Sequence, residues 1–154
     1  MKKRAIMLLL ALMFSVSGII AGNKIVYAET SAEDVDISAL WVKDALVGYA
    51  QNQTKGVYLA RGYSIINDAG GGRIGCGGVT SAASKCKVGI TAIVERKEGD
   101  SWVRVTSWTN RSDSAYSISV SKYLAVGSGY YYRVRCVHYA ETDVSNSYTG
   151  ALLM

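Results

Sequence analysis

From residue 57 onward, apolar and polar positions alternate with a period of two, the pattern of strands that bury one face. Over 130–139, Tyr130, Tyr132, Val134, Cys136 and His138 share one face, and Tyr131, Arg133, Arg135, Val137 and Tyr139 share the other. Residues 101–108 set Trp102, Arg104, Thr106 and Trp108 against Val103, Val105 and Ser107. Residues 115–121 set Tyr116, Ile118 and Val120 against serines. Three more β-rich runs cover 57–67, 73–79 and 87–96, and a short last strand is expected over 147–153. Turns fall at 68–72 and 97–100, built from Gly, Asp and charged residues in a chain without proline. About seven strands with no helical period between them predict an all-β fold. The expected form is an immunoglobulin-like or fibronectin III-like antiparallel β-sandwich over 56–154.

The N-terminal residues break this pattern. Lys2, Lys3 and Arg4 precede an uncharged apolar run over 5–20, and Val26 and Ala28 supply the −3 and −1 positions of a cleavage site before Glu29. The run falls short of the roughly 20 residues that cross a bilayer. Residues 1–28 are therefore expected to be a cleavable signal peptide, leaving a secreted, extracellular protein with no stable membrane anchor. Between this leader and the β region, 29–55 carry Glu29, Glu33, Asp34, Asp36 and Asp44 against Lys43 and Lys55. Their mixed periodicity predicts an acidic leader, loosely helical or disordered.

Export changes the meaning of the charge. The chain has 17 basic and 12 acidic residues, but Lys2, Lys3, Arg4 and Lys24 all lie in the leader and no acid does, which leaves 13 against 12. A balance of +1 gives no reason to expect a nucleic-acid partner. Three cysteines in an exported chain suggest one disulfide and one thiol. A hairpin centred on Ser81 would place Cys76 opposite Cys86 and Ile74 opposite Val88, which favours a Cys76–Cys86 bridge and a buried Cys136. A bridge from Cys136 to either of the others is the alternative.

Two segments carry resemblances. Leu124, Gly127, Gly129 and Tyr130 ahead of the alternating 131–139 run resemble the tyrosine corner of fibronectin type III domains, with Tyr130 as the corner residue and Val126 where proline is common. More widely, Tyr58-Leu59-Ala60, Gly70-Gly71-Gly72-Arg73-Ile74 and Gly78-Val79-Thr80-Ser81-Ala82 occur in order along the chain. They are followed by Gly99-Asp100-Ser101-Trp102, Gly129-Tyr130-Tyr131-Tyr132-Arg133-Val134-Arg135, His138 and Ser147-Tyr148-Thr149-Gly150. The set resembles a family of short secreted Firmicute proteins, Gram-positive in origin, known only as a domain of unknown function. That resemblance implies export and a β-rich fold, and it implies no activity, cofactor or catalytic residue.

Chemistry-bearing patterns are few. The glycines at 70–78 precede a strand, whereas a phosphate-cradling loop needs a helix N-terminus and a Lys-Ser/Thr pair, so they are expected to serve a turn and close strand packing. Cys136 and His138 lie two apart on one strand with no third group to orient the imidazole, and a single histidine offers no metal set. No catalytic residue, metal or cofactor is expected. The remaining pattern is aromatic and cationic. Trp102, Trp108, Arg104, Arg133, Arg135 and Tyr131 would suit contact with an envelope glycan or protein if their faces meet solvent. The expected function is a secreted, non-enzymatic binding module at or beyond the cell envelope, with a small bacteriocin-like toxin as the alternative.

Overall fold

The computed structural model describes residues 32–51 and 56–154, and the signal peptide expected over 1–28 lies outside them. Eight strands form among the described residues: β1 (Ala32–Asp34), β2 (Leu46–Tyr49), β3 (Leu59–Gly70), β4 (Arg73–Glu98), β5 (Ser101–Ala125), β6 (Tyr131–Ala140), β7 (Asp143–Tyr148) and β8 (Leu152–Leu153). Every pairing is antiparallel, and the fold is all-β.

Two strands are much longer than the sequence pattern suggests, and they organise the rest. Residues 73–79 and 87–96 belong to one strand, β4, and 101–108 and 115–121 to another, β5. No hairpin forms at Ser81. The residues there, Thr80 to Cys86, contain no Gly, Asn, Asp or Pro to reverse the chain. Instead the backbone stays extended through register shifts between Ser81 and Cys86 and between Cys86 and Val88. Such bulges bend a strand without ending it. Thr80, Ala82, Cys86 and Val88 all stay buried, so the same parity faces inward on both sides of the bend.

The bent β4–β5 ribbon is shared by two layers. Its first half of β4 lies between β3 and β5, with β2 and β1 outside them; its second half lies between β5 and β6, with β7 and β8 beyond. The layers enclose a core of Ile66, Ile74, Cys76, Ile90, Ala92, Val94, Leu124, Tyr132, Val134 and Cys136. A smaller cluster of Leu59, Ala82, Cys86, Val88 and Ala140 fills the bent end. Glycines set how closely the layers approach. A Cβ on Gly78 would lie 2.7 Å from Cys136 Sγ, and one on Gly62 would lie 2.6 Å from the His138 ring. The Gly70-Gly71-Gly72 turn between β3 and β4 has φ of 75°, 62° and 72°, a conformation glycine adopts without strain.

Residues 32–51 are neither a loose helix nor an unattached leader. β1 pairs with Lys122–Leu124 of β5, and β2 pairs with Tyr63–Ile66 of β3. Between them a single 3-10 turn, Ile37–Leu40, is capped by Asp36, whose Oδ1 accepts a hydrogen bond from Ser38 N at 2.8 Å. Leu40 is fully buried, and Asn67 Nδ2 donates to its carbonyl at 2.7 Å. The apolar residues of this segment serve three short elements in turn, which is why no single period shows in the sequence.

Candidate binding face

One strand illustrates how the site is made. On β6 the even residues Tyr132, Val134, Cys136, His138 and Ala140 point inward and are buried, while Tyr131, Arg133, Arg135, Val137 and Tyr139 point outward. The outward residues sit in rows across the layer. Arg133 lies beside Glu95 of β4, which lies beside Arg104 of β5. In the next row Arg135 lies between Ile93 of β4 and Tyr148 of β7. Trp102 of β5 lies two positions from Arg104, in the next outward row, opposite Lys97.

Glu95 holds this array together. Its Oε2 accepts from Arg133 Nε at 2.6 Å and its Oε1 from Arg135 Nε at 3.3 Å. The Arg133 guanidinium is thereby set 4.3 Å from the Trp102 ring centroid and 5.2 Å from that of Tyr148. Guanidinium groups at this range over an aromatic face are attracted by the ring quadrupole. Beside Tyr148 the face continues into a cleft of about 330 Å³ lined by Tyr49, Gln51, Val144, Ser145, Asn146 and Tyr148. Tyr49 in turn packs against Tyr63, and Tyr63 packs edge-on against Trp41 at 5.4 Å. Tyr49, Tyr131 and Tyr148 are each more than two-fifths exposed.

Five of the six residues expected to form a contact surface therefore share this face: Trp102, Arg104, Arg133, Arg135 and Tyr131. Trp108 does not. Val94 pairs with Thr106 but Glu95 pairs with Arg104, so Val105 is an extra residue on β5. The bulge inverts the parity of the strand. Trp108 consequently packs against the core, with Lys122 Nζ 5.6 Å from its ring centroid. Tyr148 and Glu95 are the members of the array that the alternation of single strands could not supply. Tyr148 falls in a short strand whose register against β6 is set by the Ala140–Asp143 turn.

The tyrosine corner is displaced by two residues. Tyr130 precedes β6, is 42% exposed and lies against Arg96, whose guanidinium is 4.5 Å from the ring. Tyr132 takes the corner role: its ring is buried and its hydroxyl donates to Gly127 O at 3.0 Å. Parity decides this, because Tyr132 shares the inward side with Val134 and Cys136.

The cysteines are free thiols, and the Cys76–Cys86 bridge does not form. Both residues lie on one extended strand, ten positions apart, far beyond the Cα separation a disulfide tolerates. Cys136 is also unbridged, its thiol facing Gly77 O at 3.6 Å. Burial pushes the Cys76 thiol up to about 12 and raises that of Cys136 as well. Burial first, then Glu141 and Asp143, raise that of Cys86.

His138 is fully buried and fully bonded. The Thr80 hydroxyl donates to Gly89 O at 3.0 Å, so it accepts from Nδ1–H of His138 at 2.8 Å. Nε2 then accepts from the Ser147 hydroxyl at 2.8 Å. Burial lowers the imidazole to about 4 and keeps it neutral. Ser147, Thr80 and His138 are closed to solvent, and this chain of hydrogen bonds cross-links the layers. The outer face of β4 to β7 is where exposed aromatic rings and arginines gather. Comparison of the chain with protein-family models, curated proteins and solved structures gave no match.

Proposed function

We propose that the protein is a secreted, non-enzymatic binding module acting at or beyond the cell envelope through the outer face of β4 to β7. The observation that carries this reading is the ordered Trp102–Arg133–Tyr148 stack fixed by Glu95 on a solvent-facing sheet. Aromatic and Arg side chains dominate the energetics of recognition surfaces, and rings held in place by neighbours lose little freedom on binding. Export is supported by the leader over 1–28. The non-enzymatic reading is supported by the burial of Cys136 and His138, the chain's sole thiol–imidazole pair on one strand face.

Retention of the purified protein on isolated cell-envelope material tests the proposal. Wild type should be retained, the Trp102→Ala/Tyr148→Ala variant should be retained at least tenfold less, and Tyr116→Ala, exposed elsewhere on β5, should behave as wild type. No retention of wild type, or equal retention of the double variant, overturns it. Growth inhibition on adding the protein to related bacteria would favour the toxin alternative.

A further inference from the structure

The chemistry of the outer face specifies more than contact. Lys97, Arg104, Arg133 and Arg135 stand on it around a single carboxylate, Glu95, whose two oxygens are both occupied by Arg133 and Arg135. Arg104 and Lys97 form no ion pair among the described residues. Three positive charges therefore stand unanswered on a sheet face in a protein whose expected mature form is nearly neutral. Arginine forks of this kind bind carboxylate and other oxyanions through paired N–H donors.

The remaining chemistry on the face is suited to sugar rings. Trp102 on β5 and Tyr148 on β7 bring their rings together across the face, 4.3 and 5.2 Å from the one Arg133 guanidinium. Beyond Tyr148 the cleft is lined by Gln51 and Asn146, which carry neutral amides, together with Tyr49 and Tyr148. Amides there can bond hydroxyl groups, and ring faces can take the apolar face of a pyranose. A protein partner would anchor through an apolar side chain in a desolvated pocket, and the cleft is lined mainly by polar atoms.

We propose that this face binds an acidic polysaccharide, its carboxylates paired with Arg104 and Lys97 and its rings lying on Trp102 and Tyr148. The assignment rests on the binding-module reading and names the ligand class for the same surface.

Calorimetric titration of the full-length chain with polygalacturonate, with dextran as the neutral counterpart, tests it. Polygalacturonate should bind at least tenfold more tightly than dextran and should weaken as salt rises from about 0.05 M to 0.3 M, where the screening length falls below ~10 Å. Arg104→Gln/Lys97→Gln should weaken polygalacturonate binding about five- to tenfold, as expected for exposed ion pairs of up to ~1 kcal/mol, without changing the unfolding midpoint. Lys85→Gln, a cation at the exposed bend of β4, should leave binding unchanged.

Equal binding of dextran, an unaffected Arg104→Gln/Lys97→Gln variant, or an equal loss in Lys85→Gln overturns the assignment. If polygalacturonate fails to bind while envelope material still retains the protein, the acidic glycan is wrong and the binding module stands. If envelope retention fails as well, both fall. Retention destroyed by protease treatment of the envelope overturns the glycan in favour of a protein.

Discussion

The two sides of β6 are made from the same ten residues and obey opposite rules. Inward, a polar group is admitted only when every donor and acceptor is matched, as in the Thr80–His138–Ser147 chain, and glycines on facing strands make the room. Outward, two arginines share one carboxylate, Arg104 beside them forms no ion pair among the described residues, and tyrosine rings stay open to solvent. The contrast separates the side chains that hold the layers together from those left free at the surface. Closing the first face holds the layers together, and the second face has side chains arranged with capacity to spare.

Substitutions that exchange these rules should show the difference most strongly. Gly78→Val forces a side chain against Cys136 and the Tyr63 backbone, and it should cost more than about 4 kcal/mol, leaving no cooperative transition by circular dichroism. Gly89→Ala, on the outer side of the same strand, meets the flexible Arg111 side chain at 3.3 Å and should cost no more than about 1 kcal/mol. Comparable losses for both would erase the distinction between the faces.

Acid should attack the inner face through His138. His138 is held near 4 when folded and returns to about 6.5 when unfolded, so the unfolded chain binds the extra proton. Stability is therefore complete above pH 6.5 and declines as pH falls toward 4, by on the order of 3 kcal/mol over that window. Urea midpoints at pH 7.5 and 4.5 measure it, and a His138→Leu variant should lose this component of the slope.

The tryptophans sharpen the comparison further. Trp108→Ala removes a ring packed on the core and should destabilise by about 2 kcal/mol, whereas Trp102→Ala should cost under about 1 kcal/mol while reducing envelope retention. The reverse order in thermal denaturation would mean that the Val105 bulge does not form. Smallest is the corner pair. Tyr132→Phe should lose about 1 kcal/mol with its bond to Gly127, and Tyr130→Phe should lose nothing measurable.

Period-two alternation made β6 legible from sequence residue by residue, since that strand is regular from end to end. It also made the all-β class legible, along with the glycine turn at 70–72. It misplaced Trp108 because a bulge of one residue inverts a strand's parity without any composition mark. It split β4 and β5 because a bent strand lowers the apolar signal at the bend much as a turn does. The Cys76–Cys86 bridge followed from that false hairpin. Residues 32–51 were opaque for a different reason: β1 and β2 are three and four residues long, too short to display a period. Their place is dictated by partners far along the chain.

The ribbon of β4 and β5 has a kinetic consequence. Its contacts can zip outward from the Gly99–Asp100 turn, each new pair close to one already made, so the least costly loop closure comes first. Only afterwards must β1 find a partner some ninety residues away. Because both layers grow from that one ribbon, neither can complete its assembly without the other, and the order of events runs from the middle of the domain to its ends.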